Sequence, residues 1–275
     1  MPRWMPDWQA MLAAAPHIPV EGPGDAAYLV ADAHLGSGQS TAAEFIAMLE
    51  LLERPRMLVF LGDLFTVWLA APKYWDEPTR QVLQAFARLR QRGVPIVFVV
   101  GNREFLLPRG PHALASSGLP FDAVLPGAGV LTWAGRRYGV THGDVVNRGD
   151  TQYLKWRWIA RSLPFELLFR AMPGSLARNI SLKLERGLAT TNQEIKIQYP
   201  AQELRAFAQA ALPGLDGYFI GHFHRDEVVR VPGQDATLRI VPDWFSRKRL
   251  LRLEAGGQAT LLRLESKGGP RLVPA

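Results

Sequence analysis

A chain of 275 residues, 48% of them hydrophobic, can bury a substantial core, and no stretch has the composition of a disordered segment. The absence of cysteine excludes a disulfide framework and thiolate chemistry, leaving oxygen and nitrogen donors for any catalytic or metal-binding work. A formal net charge of +7 points to an anionic partner, whether nucleic acid, a phosphorylated small molecule or an acidic membrane surface.

The amino terminus lacks the basic stretch and apolar core of a signal peptide, and no later segment holds the ~20 uninterrupted apolar residues of a membrane span, so a cytoplasmic location is expected. Residues 1–25, punctuated by Pro and Gly, are expected to lie irregularly on the surface. A first strand is predicted over 27–32. Ser40 and Thr41 then offer a helix N-cap, and Phe45, Met48, Leu49 and Leu52 recur at helical spacing until Pro55. An apolar run over 58–61 stops at Gly62-Asp63. A second helix fits 77–92, with Val82, Leu83, Phe86 and Leu89 on one stripe and Gly93 closing it, and a strand follows over 94–100. This βαβαβ alternation argues for an α/β fold with a partly parallel sheet. Residues 128–141 read as a hairpin turning at Ala134-Gly135.

Residues 150–200 break the rhythm. Tyr153, Trp156, Trp158, Phe165 and Phe169 are interleaved there with Lys155, Arg157, Arg161, Arg170, Arg178, Lys183 and Arg186 in helical patterns broken by prolines, which suggests a helical lid inserted over the mouth of a site. A helix near 201–212 precedes strands at 216–221, 226–231, 237–241, 248–254 and 258–265. One domain over 1–275, with the lid at 150–200 inside it, is the economical organisation.

Five of the strand-like runs end in the same way. They deliver Asp32 and His34; Gly62-Asp63; Gly101-Asn102-Arg103-Glu104; His142-Gly143-Asp144; and Gly221-His222-Phe223-His224. In open α/β sheets the crevice beyond the carboxyl ends of the strands is where ligands bind. Asp and His are the donors that Mn²⁺, Fe²⁺, Co²⁺ and Zn²⁺ accept, and Asn adds a neutral carbonyl oxygen. The candidates Asp32, His34, Asp63, Asn102, His142, His222 and His224 exceed the needs of one cation and can serve two if a carboxylate bridges, for which Asp63 is best placed. A lone Asp after a strand is more often a turn residue, so the set carries the reading and no single member does. Asp144 is expected to orient a ligand loop through hydrogen bonds. Glu104 is expected to be structural, and His17 and His112, outside any motif, to be surface residues.

In this order the motifs Asp-x-His, Gly-Asp, Gly-Asn, His-Gly-Asp and Gly-His-x-His resemble the metallophosphoesterase superfamily, with the match running from residue 32 to residue 224. The resemblance implies a four-layer αββα sandwich and two divalent cations, expected to be Mn²⁺. One would be held by Asp32, His34, Asp63 and His224, the other by Asp63, Asn102, His142 and His222. Asp63, Asn102 and Arg103 would carry the catalysis. Generic members place His after Gly-Asn, where it can protonate an alkoxide leaving group. Arg103 stays protonated and cannot, but it can clamp phosphate oxygens bidentately. A phosphoanhydride, whose departing phosphate monoester has a second pKa of ~6, hardly needs that proton.

Gly101-Asn-Arg-Glu-Phe is similar to the Gly-Asn-Arg-Asp-Phe of the UDP-2,3-diacylglucosamine pyrophosphatases of lipid A biosynthesis, as is His142-Gly-Asp followed by Asp150, Tyr153 and Arg157. That resemblance implies substrate contacts from Arg103, Asp150, Tyr153 and Arg157, with Asn192 and Lys196 as the nearest candidates in the lid. It also implies that water attacks the α-phosphorus of the UDP group, releasing UMP and 2,3-diacylglucosamine 1-phosphate. The UDP-linked glycolipid lives in a bilayer, so peripheral contact with the anionic cytoplasmic face of the inner membrane is expected through the basic and aromatic residues of 151–188. No nucleic-acid partner and no obligate protein partner are expected. A nuclease or nucleotide phosphodiesterase would suit the basic charge but predicts a His at position 103 and a groove of stacking aromatics. A non-catalytic scaffold predicts lost ligands, and all seven candidates are present.

Overall fold

Period-two alternation in the strands divides the core. In Ala26–Val30, residues Ala26, Tyr28 and Val30 join one apolar layer while Ala27 and Leu29 join another, as successive side chains on a strand must. Pro55–Phe60 and Ile96–Val99 repeat the division: Leu58, Phe60, Ile96 and Phe98 go one way, and Met57, Val59, Val97 and Val99 the other. Both faces are covered, which is why these strands read as unbroken apolar runs.

The computed structural model describes residues 2–36, 40–173, 180 and 199–275. A seven-stranded sheet runs in the order Arg271–Pro274, Ala259–Glu265, Arg249–Glu254, Ala26–Val30, Pro55–Phe60, Ile96–Val99 and Ala123–Leu125, the last four mutually parallel. A six-stranded sheet runs His17–Pro19, Ala128–Trp133, Arg136–Thr141, Gly217–Ile220, Thr237–Ile240 and Glu227–Arg230. The inner faces of the two sheets share one core. Helices Ala42–Glu50 and Glu77–Gln91 cover the outer face of the first sheet, and Trp8–Ala13 and Ala201–Ala211 that of the second. The fold is therefore the expected αββα sandwich.

Local signals account for the boundaries. Thr41 and Asp76 cap the two outer helices, each accepting a backbone N–H three residues on. Gly93, at φ 82°, follows the second. The hairpin turns through Ala134 and Gly135, both at positive φ, the two-residue geometry that matches strand twist.

The amino-terminal expectation needs correction. Asp7 caps a helix, Trp8–Ala13, which buries Trp8 against Phe207. His17–Pro19 pairs in parallel with Ala128–Trp133. Pro16 and Pro19 disguised this strand, yet an edge position tolerates proline because one side of the strand needs no donor. A further edge strand, Arg271–Pro274, also lay outside the sequence reading.

Within 150–200, the segment expected to form a lid, helices Thr151–Ala160 and Leu163–Ala171 are described, capped by Asp150 and Ser162. Asn192 and Lys196 lie outside the described residues. Trp158, Ile159, Leu163, Leu167 and Leu168 are each 47–59% exposed on these helices. Phe169, by contrast, is buried with Leu69 and Leu106, and Phe165 stacks on it at 4.5 Å. The lid aromatics expected to face lipid are thus divided, with Phe169 facing the domain. Among the described residues no helix is long and apolar enough to cross a membrane.

Candidate metal centre

The strands stop just short of the polar residues, and the backbone then turns into the left-handed region. Asp32, His34, Asp63, His222 and His224 have φ of 50°, 42°, 57°, 70° and 51°. Each such non-glycine residue costs about 1–2 kcal/mol, a strain that gathers at functional sites. The turns are locked together: Asp32 N–H donates to Gly62 O at 3.1 Å and His34 N–H to Asp63 O at 3.0 Å. His222 N–H donates to Asp32 Oδ2 at 2.8 Å. Gly62 must lack a side chain, because a Cβ there would lie 2.6 Å from His142 Nδ1 and 2.7 Å from the Gly101 backbone.

Two groups of donors result. In one, His224 Nε2 stands 3.3 Å from Asp32 Oδ1 and 3.2 Å from His34 Nε2. In the other, Asn102 Oδ1 lies 3.0 Å from His142 Nε2 and 3.1 Å from His222 Nδ1, and those two nitrogens are 3.2 Å apart. Asp63 stands between the groups, with Oδ2 3.9 Å from His34 Nε2 and Oδ1 3.6 Å from His142 Nε2. All seven sequence candidates are therefore brought together.

This donor set fits divalent cations. Donors bound at about 2.1 Å lie roughly 3.0 Å apart at a right angle and roughly 3.4 Å apart at the tetrahedral angle, which covers the closest spacings here, 3.0 to 3.3 Å, while the Asp63 oxygens stand farther off at 3.6 and 3.9 Å. Asp32 Oδ1 is buried, with the His224 and His34 ring nitrogens facing it at 3.3 and 4.0 Å. His142 Nδ1 faces Leu61 O at 2.6 Å, which leaves Nε2 as the metal-facing nitrogen.

The electrostatics are those of a crowded cluster. Burial lowers His142, but Asp63, Asp32 and Asp144 outweigh it and push the ring up to about 9. Burial pushes His222 down to about 3, with His142 adding to the effect, and burial likewise lowers His34. Burial raises Asp63. It opposes ionisation of Asp32 too, yet His224, His142 and His34 hold that carboxyl below its usual range.

Around the cluster, Arg103 N–H donates to Asp63 Oδ1 at 2.9 Å, its Nε lies 3.8 Å from Asp63 Oδ2 and its Nη1 donates to Thr66 O. Glu104 is structural as expected: its buried carboxylate accepts the N–H groups of Gly101, Leu64 and Asp63 at 2.7, 2.9 and 3.1 Å. Asp144 accepts from Tyr153 Oη and from Arg157 Nε, the latter at 2.6 Å. Asp150 caps helix Thr151–Ala160, accepting Tyr153 N–H at 2.9 Å. In the sequence Arg161 stands only among the basic residues of 150–200, and Phe245 carries no signal. Arg161 donates to Gly101 O at 2.7 Å, and its spacing from Tyr153 and Arg157 was the available signal. Phe245 sets its ring edge-on to His34 at 5.7 Å, and nothing in its neighbourhood in the chain announced that.

A four-layer sandwich with a strand-end cluster of Asp, His and Asn donors defines a metal-dependent phosphohydrolase. The chain belongs to the calcineurin-like phosphoesterase family, whose sequence model matches residues 27–226. It is 32% identical to the UDP-2,3-diacylglucosamine hydrolase of Aeromonas salmonicida, over 90% of this chain and 95% of that one. It is 28% identical to the protein of the same name from Vibrio cholerae, over 81% of this chain and 92% of that one. Among solved structures, that of Chaetomium thermophilum Vps29 matches at a TM-score of 0.46 and 12% identity, over 91% of this chain and 97% of that one, too loosely to bear on function.

Proposed function

We propose that this chain hydrolyses the phosphoanhydride of UDP-2,3-diacylglucosamine, giving UMP and 2,3-diacylglucosamine 1-phosphate. The observation that carries the reading is Arg103, which stands against Asp63 and follows Gly-Asn in the chain where generic members have a proton-donating His. A guanidinium stays charged; it can hold phosphoryl oxygens and cannot protonate a leaving group. A departing phosphate monoester, with a second pKa of ~6, leaves without that help. The names of the relatives supply the nucleotide and the acyl chains.

Asp32, His34, Asp63 and His224 would hold one divalent cation, and Asp63, Asn102, His142 and His222 the other. When bound, two cations lower the pKa of a water between them and offset charge on the phosphoryl oxygens. The residues of the chain supply the rest. Asp63 keeps the two donor groups in register, Arg103 orients the phosphoryl group for in-line attack, and Glu104 holds the Asp63 and Gly101 turns against each other. Tyr153 and Arg157, which donate to Asp144, would meet the substrate's polar part, as would Asp150, which caps their helix.

The exposed apolar residues of the lid support a substrate with acyl chains and peripheral contact with the cytoplasmic leaflet, where basic side chains contribute about 1 kcal/mol each. The reaction is tested with purified, Mn²⁺-loaded protein in ¹⁸O-water. Label in UMP is the expected outcome. Label in the sugar phosphate contradicts attack at the α-phosphorus, and release of mononucleotides from DNA in parallel assays would favour a nuclease.

A further inference from the structure

The inner stripe of the first lid helix is built into the metal centre. Tyr153, Arg157 and Arg161 follow at i, i+4 and i+8, one above another on a single face of Thr151–Ala160 and its C-cap. Tyr153 and Arg157 donate to Oδ2 of the buried Asp144, and Arg161 Nη2 lies 4.0 Å from the same oxygen. Arg161 also reaches beyond Asp144: Nη2 donates to Gly101 O at 2.7 Å and Nη1 to Pro126 O at 3.2 Å. Gly101 immediately precedes Asn102, and Asp144 follows His142 by one glycine. One guanidinium therefore bridges the two turns that present Asn102 and His142. The Asp32, His34 and His224 group has its own ties, through Asp32 N–H to Gly62 O, His34 N–H to Asp63 O and Phe245 N–H to Asp32 O, and meets the other group at His222 N–H on Asp32 Oδ2.

We propose that Arg161 is a positioning residue for one cation of the pair, and that the lid helix and that cation are coupled through it. Arg161 and Asp144 set the spacing of Asn102 against His142, so seating of the lid helix strengthens the half-site of Asn102, His142 and His222 more than that of Asp32, His34 and His224, which it reaches only through His222 N–H on Asp32 Oδ2 and through the shared Asp63. By linkage the coupling runs both ways: filling the half-site holds the helix down, and whatever lifts the helix loosens the cation. The planar fork of arginine suits this work, because one side chain reaches two carbonyls while facing a carboxylate, and a lysine ammonium offers only a point charge. The proposal rests on the two-cation reading of the cluster.

The test is a Mn²⁺ titration of chelator-stripped protein without substrate, followed by loss of the free-ion electron paramagnetic resonance signal. Wild type should take up two ions. Arg161→Met should bind one ion nearly as wild type does and the other about 10-fold more weakly, the low end of the loss that follows removal of a ligand's own hydrogen-bond partner, because Arg161 acts one step further out, through Gly101 and Asp144. Arg161→Lys should fall between, and Gln152→Ala, exposed on the same helix, should match wild type. Two ions held equally by wild type and Arg161→Met would overturn the proposal alone. Equal weakening of both ions in step with a lowered melting temperature would overturn it in favour of a structural role. Fewer than two ions on wild type would overturn the two-cation reading and the proposal with it. Should Arg161→Met fail to fold, amide exchange in wild type decides: backbone protection over 151–161 should rise on metal loading, and unchanged protection refutes the coupling.

Discussion

Glu104 offers the sharpest test of how the site is held. Its carboxylate accepts three backbone N–H groups, two on Oε2 from Gly101 and Asp63 and one on Oε1 from Leu64, all buried. Glu104→Ala strands all three, and at about 1–3 kcal/mol for each buried unsatisfied donor the loss is about 3–9 kcal/mol. That is a large part of the ~5–15 kcal/mol by which domains are stable. In Glu104→Gln the amide oxygen can take the Oε2 position and keep two of the three bonds, so the loss falls to about 1–3 kcal/mol. Charge adds a pH signature in metal-free protein. Burial and then Asp63 push the Glu104 carboxyl from 4.5 up to about 8. A folded pKa raised above the unfolded one contributes stability below pH 4.5 that is lost as pH rises through about 8. Between about pH 6 and about pH 8 the stability advantage of wild type over Glu104→Gln should therefore shrink by roughly 2 kcal/mol. Urea unfolding of stripped protein at the two pH values measures it. A Glu104→Ala variant within about 1 kcal/mol of wild type, or a wild-type-to-Gln difference that does not move with pH, would refute the reasoning.

Metal uptake should release protons. His142 keeps its ring proton up to about pH 9 in the metal-free cluster, so binding near pH 8 should expel roughly one proton per chain and apparent affinity should rise with pH toward 9; calorimetry in buffers of different ionisation enthalpy reads this, and no buffer dependence would contradict it. In the lid, Trp158→Ser should leave the melting temperature unchanged and weaken sedimentation with anionic vesicles in a salt-sensitive way. Phe169→Ser should instead cost about 3–5 kcal/mol of stability, as large-to-small changes in a core do. Loss of vesicle binding by neither variant would remove the membrane role from these helices.

The strand-end cluster was legible because strands covered on both faces read as apolar runs, and the first polar residue after each run stands out. The backbone that aims those residues was barely legible: Asp and His are the non-glycine types, with Asn, that most often take positive φ, but only a few per cent of residues do so, and type alone did not single out Asp32, His34, Asp63, His222 and His224. The three donors of Glu104 were hidden for a different reason: two lie 40 and 41 residues away in the chain, on a turn only the folded sheet brings near. Trp158 and Phe169 are equally aromatic, and only the way their helices pack sends one to solvent and the other onto Leu69 and Leu106. Pro16 and Pro19 masked an edge strand because proline argues against strands in general and only the pairing with Ala128–Trp133 shows that it is an edge.

The central claim is that Asp63 joins two donor groups into one catalytic centre. Metal content and hydrolysis of UDP-2,3-diacylglucosamine, measured together on chelator-stripped and Mn²⁺-reconstituted wild type and on Asp63→Ala, test it most directly. Two ions per chain and turnover only in reconstituted wild type are expected, with Asp63→Ala losing activity and weakening both ions because it removes a ligand from each group. Full turnover by stripped protein, or an Asp63→Ala variant that keeps two tightly held ions and its activity, would contradict it.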